Sequence, residues 1–332
     1  MSRRSIMFVS SCIVGLAAVV ASLYYRDIRV AYRHAQTGSR IADTSCGLVE
    51  YADIGHGPAV LVVHGAGGGF DQGLDFGRDL ARRDMRVIAV SRFGYLRTPV
   101  PRDASASAQA DAHVCLLDAL GIEKATVIGA SAGAPSAVQM AIRHPSRTQG
   151  LILVVPAIYT PRPGNERPVL TPAGTQFLFS TALKSDFVFW LAREIAPGVL
   201  IRAILATPTE DLKTVSRAER ARVAAMLDGI LPVRPRRLGL INDAAITSTL
   251  PRYDLEKITA PSLIMSVKND QFGTFQGARY SADHIVNARF IGYETGGHIL
   301  AGHQDDLMRE ITRSINEWTP RTPIQFADTQ TR

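Results

Sequence analysis

The sequence predicts an α/β protein in which a mostly parallel sheet carries helices on both faces. Short apolar runs alternate with helix-like segments along most of the chain, which is the pattern that strand–helix–strand units produce. With 332 residues, 46% of them hydrophobic, the chain is long enough to bury one large core. We therefore expect one main domain that carries insertions.

The N-terminal segment has the length and composition of a membrane span. Residues 6–25 carry no charge, and a helix of that length covers about 30 Å, the thickness of the hydrocarbon core of a bilayer. Tyr24 and Tyr25 stand where the membrane interface would lie. We predict that residues 1–25 form a single-pass anchor that attaches the protein to a membrane.

Two other interpretations of this segment stay open. Small residues around Ala21 fit a signal peptide that is cleaved to give a secreted or periplasmic protein. Cys12 stands in a loose lipoprotein-type sequence, although few apolar residues precede it. Arginines flank both ends of the apolar run, so the sequence does not orient the rest of the chain relative to the membrane.

The remaining chain divides by composition. Residues 26–47 are polar and predict a linker, residues 48–156 and 251–320 predict the sheet domain, and residues 321–332 a polar tail. The predicted strands are apolar runs of a length that suits buried parallel strands: 59–65, 86–91, 125–130, 150–156, 261–267 and 288–294. The predicted helices between them cover about 71–83, 104–120, 132–144 and 304–318. Residues 157–250 interrupt the alternation and predict an inserted helical cap.

Charge and cysteine content exclude some functions. The net charge of +7 comes from scattered arginines without a nucleic-acid-binding motif, so we expect no nucleic-acid partner. We interpret the basic groups of the insertion as a solvated face: Arg217, Arg220, Arg222, Arg234, Arg236 and Arg237. Three cysteines without CxxC spacing predict neither a disulfide framework nor a metal site, and we expect Cys115 to be an inert buried thiol.

The first chemical signal is the sequence Gly129-Ala130-Ser131-Ala132-Gly133. A G-x-S-x-G pentapeptide is weak alone, but here it joins the apolar run ATVIGA to a helix-like segment. A strand–turn–helix of this kind lifts a serine hydroxyl above the edge of a sheet, and the two glycines let strand and helix backbones approach closely. We predict that Ser131 is a nucleophile.

The second signal is the glycine-rich sequence HGAGGG, residues 64–69, directly after a predicted strand. Exposed backbone N–H groups in such a loop can stabilise an oxyanion. We predict that the N–H groups of Ala66 and Ala132 form this oxyanion hole. A phosphate-binding loop is the alternative interpretation, but no G-K-[ST] sequence follows and the glycine spacing of a dinucleotide-binding motif is missing. His64 itself is interpreted as a structural residue that braces the loop.

A serine needs a base, and the base needs an acid that orients it. His298 follows the last predicted strand on a glycine-rich loop, whereas His303 lies at the start of the final helix. Asp270 follows the predicted strand PSLIMSV, residues 261–267, and emerges at the same sheet edge. We predict the triad Ser131, Asp270 and His298, with three other acids as weaker candidates: Asp243, Asp254 and Asp283.

With these residues placed, the chain resembles the α/β-hydrolase superfamily, in its serine hydrolase branch with a helical cap. The resemblance covers about residues 48–320 through HGAGGG, SRFGY, GASAG, SVKND and GGHIL. It implies the same triad and oxyanion hole. The chain departs from the common family pattern at Ser91, where Asp is frequent, and at Ala134, where a further glycine is frequent.

The expected function is hydrolysis of a carboxylic ester or related acyl bond of a small molecule through an acyl-enzyme, without cofactor or metal. Hydrolysis of a carbon–carbon bond in a diketone-like acid, or of an amide, and acyl transfer to an alcohol are alternatives on the same residues. Haloalkane and epoxide hydrolases use a carboxylate where this chain has Ser131. A ligand-binding receptor that keeps the fold without turnover is the alternative from another class.

Overall fold

An eight-stranded sheet forms the centre of the computed structural model, which describes residues 3–161 and 183–319. The strands are β1 Arg40–Thr44, β2 Gly47–Ile54, β3 Ala59–Val63, β4 Arg86–Val90, β5 Ala125–Ala130, β6 Thr148–Val154, β7 Ser262–Val267 and β8 Ala288–Tyr293. Their order in the sheet is β1-β2-β4-β3-β5-β6-β7-β8. Strands β3 to β8 are parallel, whereas β1 and β2 pair antiparallel with their neighbours.

Helices cover both faces of this sheet. They are α1 Arg3–His34, α2 Phe70–Ala81, α3 Ala106–Ala119, α4 Ala134–Arg143, α5 Asp186–Ile195, α6 Pro197–Ile204, α7 Asp211–Thr214, α8 Arg217–Asp228, α9 Arg237–Ser248, α10 Thr274–His284 and α11 Gln304–Trp318. Alternate residues of β3 point to opposite faces. Leu61 and Val63 join a core with α3, α4 and α10, and Val60 and Val62 join a second core with α2 and α11. The predicted fold class is confirmed.

The predicted linker at residues 26–47 is wrong. Helix α1 continues to His34 because Ile28 and Ala35 are buried, at 8% and 3% exposed, against the rest of the protein. Strand β1 follows and pairs with β2 as the sheet's edge. Only one face of this edge strand is partly covered, so its sequence RIADT carries no apolar run and resembles a linker.

Within its described residues, the insertion between β6 and β7 contains five α-helices, α5 to α9, joined by loops. Ser216 caps α8 as its sequence predicts, since its side chain accepts a hydrogen bond from the N–H of Glu219 at 3.1 Å. Residues 162–182, inside the predicted cap, and the predicted tail at 321–332 lie outside the described residues.

The expectation that the cysteines form no disulfide is also wrong. Cys46, in the turn between β1 and β2, is bonded to Cys115 on α3, with the two Cα atoms 6.0 Å apart. The two residues are separated by 69 positions in sequence. Their pairing depends on the packing of α3 against the β1–β2 hairpin, which residue spacing does not reveal.

Candidate active site

Ser131 lies on a tight turn between β5 and α4. It has φ +48°, in the left-handed region that a residue with a side chain rarely adopts. Close packing imposes this turn, because a Cβ at Gly133 would lie 2.4 Å from the carbonyl oxygen of Val63. A Cβ at Gly129 would lie 2.6 Å from that of Ala137. The two glycines therefore let the strand and helix meet, and the turn presents the serine at the carboxyl edge of the sheet.

Two further side chains reach Ser131 from the loops after β7 and β8. The His298 Nε2 atom lies 2.8 Å from Ser131 Oγ, and its Nδ1 atom lies 2.8 Å from Asp270 Oδ2. The structure thus brings the three predicted residues into one hydrogen-bonded line, although 167 positions separate serine and histidine in sequence. With the proton on Nδ1, the imidazole donates to Asp270 and leaves Nε2 free to accept the serine proton.

Asp270 is 5% exposed and held by several donors. The N–H of Phe272 donates to Oδ1 at 2.9 Å, and the Thr274 hydroxyl donates to Oδ2. Burial alone would raise the pKa of Asp270, but the charge of His298 and these hydrogen bonds hold it below its usual value. The carboxylate is therefore ionised at neutral pH and can stabilise a protonated His298.

The weaker sequence candidates make other contacts. The His303 Nε2 atom lies 3.0 Å from the carbonyl oxygen of Thr295. Asp243, Asp254 and Asp283 form ion pairs with arginine or lysine side chains. Asp270 is the acid that the structure places beside His298.

The glycine-rich loop at residues 64–69 runs directly past Ser131. A Cβ at Gly65 would lie 3.2 Å from that of Ser131. Ala66, the next residue, is exposed, and its backbone N–H has no acceptor among the residues that the structure describes. Ala132 begins the turn just after the serine. The oxyanion role of these two N–H groups stays a prediction.

Arg236, in the C-terminal part of the insertion, contacts and holds this glycine-rich loop. Its side chain is 0% exposed, so the expectation of a solvated face is wrong at this position. It donates to the carbonyl oxygen of Gly68 at 2.6 Å and makes a forked contact with Asp71, at 3.0 and 2.5 Å. Burial would raise the pKa of Asp71, but the Arg236 charge and the hydrogen bonds hold it well below its usual value. No motif or residue spacing indicates that Arg236 and Asp71 meet.

A second buried ion pair holds the start of the same loop. Arg92 makes a forked contact with Asp243 at 2.5 and 2.7 Å and donates to the carbonyl oxygen of His64 at 2.9 Å. Tyr95 donates its hydroxyl proton to Asp243 and accepts the N–H of Gly67 at 3.2 Å. Burial and the Arg92 charge lower the pKa of His64 well below its usual value, so this imidazole is neutral.

Comparison with known proteins agrees with the fold. The profile of the family described as the alpha/beta hydrolase fold matches residues 58–197. A solved alpha/beta hydrolase fold protein from Nakamurella multipartita superposes with a TM-score of 0.64 at 27% identity, over 83% of this chain and 98% of that one. The chain has the α/β-hydrolase fold.

Two curated relatives extend this result. The uncharacterized hydrolase YcgS of Bacillus subtilis is 26% identical over 265 residues, which cover 76% of this chain and 89% of that protein. The 2-hydroxymuconate semialdehyde hydrolase of Pseudomonas putida is 34% identical over 105 residues, only 31% of this chain and 37% of that protein. The protein is therefore a hydrolytic enzyme, and the reaction that it catalyses is a separate question.

The insertion of this hydrolase also contacts the loop that carries His298. The carbonyl oxygen of Ala206, just after α6, accepts the N–H of His298 at 3.3 Å and that of Gln271 at 3.2 Å. Asp211 at the start of α7 accepts the N–H of Gly296 at 2.8 Å. Both candidate catalytic loops, at residues 64–69 and 294–298, are thus fixed partly by residues of the insertion, which sequence patterns did not reveal.

Within residues 3–161 and 183–319, no group of three or more His, Cys, Asp or Glu side chains is placed to hold a metal ion.

Proposed function

We propose that this hydrolase cleaves a carboxylic ester or related acyl bond of a small molecule through an acyl-enzyme on Ser131. The observation that carries the proposal is the hydrogen-bonded line from Ser131 through His298 to Asp270, with both contacts at 2.8 Å. This is the arrangement in which a base activates a hydroxyl and an acid orients the base.

In the first step, Ser131 Oγ attacks the substrate's carbonyl carbon while its proton passes to His298 Nε2. The carbon–oxygen bond to the alcohol then breaks, and His298 returns the proton to the leaving alcohol. In the second step, water attacks the acyl carbon and gives a proton to His298. The bond from the acyl carbon to Ser131 Oγ then breaks, and His298 returns the proton to Oγ, which releases the carboxylic acid and regenerates the serine. Asp270 keeps the imidazole in the required tautomer and stabilises its protonated form.

The negative oxygen that forms in each step needs donors. We assign this role to the N–H groups of Ala66 and Ala132. The exposure of Ala66 and the proximity of its loop to Ser131 support this assignment. Loss of one such donor typically lowers kcat by about 10² to 10³. Arg236 and Arg92, which hold the carbonyl oxygens of the same loop, act as positioning residues.

Hydrolysis of a carbon–carbon bond in a diketone-like acid is the second candidate. It is favoured by the similarity to the Pseudomonas putida hydrolase, because the 2-hydroxymuconate semialdehyde in that enzyme's name contains no ester or amide bond. The matched stretch covers only 31% of the present chain. The same serine, histidine and aspartate would serve either reaction.

A substrate panel distinguishes the two candidates. We would assay wild type and Ser131→Ala on p-nitrophenyl esters of increasing acyl length and on vinylogous diketo acids. Ester hydrolysis that falls by roughly 10⁴ to 10⁶ in Ser131→Ala supports the proposal. Turnover restricted to diketo acids would instead favour the second candidate, and turnover that survives in Ser131→Ala would contradict both.

We also propose that residues 1–25 are a retained membrane anchor rather than a cleaved signal. One helix runs without interruption from Arg3 to His34, and Val20 and Tyr24 pack partly against the insertion. Cleavage near Ala21 would cut this helix inside its packed region. Residues 10–34 also have the length and apolar character of a span, with 6% of the apolar window buried.

A further inference from the structure

Helix α1 has an exposed apolar part and a packed part. Its large apolar side chains between Met7 and Val19 are 56–72% exposed: Met7, Phe8, Ile13, Val14, Leu16 and Val19. A projecting apolar helix of this size is not stable in water and requires a lipid environment. From Tyr24 onward the same helix contacts the insertion.

Polar contacts fix the packed part of α1 to α5. Trp190 donates its indole N–H to Asp27 at 3.0 Å, and Arg193 donates to the same carboxylate at 3.3 Å. Tyr32 donates to Asp186 at 3.0 Å. Since these contacts join one unbroken helix to the insertion, the apolar part of α1 is held rigidly and sets how the domain faces a bilayer.

This attachment places α5 at the level where the uncharged run ends. The Tyr24 ring lies 5.2 Å from that of Phe187 and 5.4 Å from that of Trp190, in edge-on arrangements. Aromatic side chains collect at the membrane–water interface because they combine an apolar body with a polar tip. Arg26, which follows directly, is exposed. Its Nε donates to Asp27 at 2.9 Å, and its other N–H groups can contact anionic headgroups.

Helices α5 and α6 keep apolar side chains partly exposed, including Phe187, which contacts Tyr24 of α1. Phe187 and Val188 on α5 are 40% and 38% exposed, Ile195 is 73% exposed, and Val199 on α6 is 53% exposed. Helix α6 leads directly to Ala206, whose carbonyl oxygen contacts the N–H of His298. The apolar surface of α5 and α6 is therefore connected by a short stretch of chain to the candidate active site.

We infer that α1 holds α5 and α6 against the lipid surface, so that the enzyme takes an amphiphilic acyl ester from the bilayer rather than from water. This inference rests on the proposed acyl hydrolysis and on the proposed anchor. The apolar surface of α5 and α6 lies in the interface, and the acyl chain of the substrate stays among the lipids until its carbonyl carbon reaches Ser131.

A fluorescent label tests the contact. The full-length protein, with Cys12→Ser, would carry an environment-sensitive dye at Ile195→Cys or, as a control, at Val286→Cys. Val286 is 79% exposed and precedes β8, at the sheet edge opposite Ser131. In phosphatidylcholine–phosphatidylglycerol vesicles, the dye at 195 should shift to the blue and be quenched by nitroxide lipids, while the dye at 286 should not. Equal, water-like emission from both positions would overturn the inference.

A paired activity assay tests the substrate class. Ile195→Glu with Val199→Glu places two charges at the interface, and Val286→Glu is the matched control. We expect the double variant to hydrolyse a water-soluble short-chain ester within about twofold of wild type, but a long-chain ester embedded in vesicles about tenfold more slowly. Equal rates on the embedded ester would contradict the inference. Absence of short-chain hydrolysis in wild type would instead contradict the proposed function.

Discussion

Arg236→Met is the perturbation that best separates the positioning of the oxyanion loop from general stability. Methionine keeps much of the apolar volume but removes the guanidinium group that contacts Gly68 and Asp71. Asp71, 3% exposed, would then be a buried carboxylate that keeps only the longer contact with His34, at 3.8 Å. Removal of one partner of a buried ion pair costs roughly 3–5 kcal/mol, which is a large part of the 5–15 kcal/mol that typically stabilises a domain.

The same substitution should impair catalysis, because the carbonyl oxygen of Gly68 loses its 2.6 Å contact and the loop that carries Ala66 is less firmly placed. Complete loss of one oxyanion donor costs about 10² to 10³ in kcat, so a displaced donor should cost about tenfold or more. The assay measures kcat and KM well below the melting temperature. We expect the change mainly in kcat.

The double variant Asp71→Asn with Arg236→Met separates the two effects. It removes both charges, so the free energy of unfolding should recover in part, whereas kcat should stay low because Gly68 is still not held. Arg86→Met is the matched control. Arg86 on β4 donates two hydrogen bonds to Asp53 on β2, at 3.2 and 2.8 Å, and this pair lies away from Ser131. Unchanged kcat in Arg236→Met, or full recovery of kcat in the double variant, would refute the positioning role.

Three further predictions follow from the same contacts. Asp270→Asn should lower ester turnover by about 10⁴, because the amide favours the wrong imidazole tautomer, whereas the exposed Asp254→Asn should leave turnover unchanged. Because the folded-state pKa of Asp71 is lowered, its contribution to stability is present above about pH 4 and lost as the pH falls further. Thermal melts should therefore show the destabilisation by Arg236→Met shrinking toward pH 3. Deletion of residues 1–18 should give soluble protein that keeps short-chain esterase activity; full-length protein that remains soluble after ultracentrifugation would contradict the anchor.

The candidate site was largely predictable because its signals are local. The nucleophile motif depends on the strand and helix that directly flank Ser131. Both segments carry apolar residues at the spacing expected for their type of secondary structure. His298 and Asp270 follow strands whose carboxyl ends must meet at one sheet edge. Parallel strand order therefore brings distant residues together without any knowledge of their contacts.

The residues that hold the site could not be predicted, since their signals are not local. Arg236 and Asp71 are 165 positions apart, and an arginine in a polar stretch resembles a solvated one until its partner is known. Asp243 is a comparable case. It appeared to be a minor alternative to Asp270, but its contact with Arg92 makes it part of the loop's support. Asp243→Asn is therefore no silent control, and Asp254 takes that place.

Labelling by a fluorophosphonate probe is the most direct test of the claim that Ser131 is the nucleophile. The probe reacts with a serine only when a base activates it, and peptide mass spectrometry locates the adduct. We predict one adduct on Ser131, its loss in Ser131→Ala, and its retention in Ser136→Ala, where the altered serine is buried five residues away on α4. An adduct on another serine, or labelling that persists in Ser131→Ala, would contradict the account.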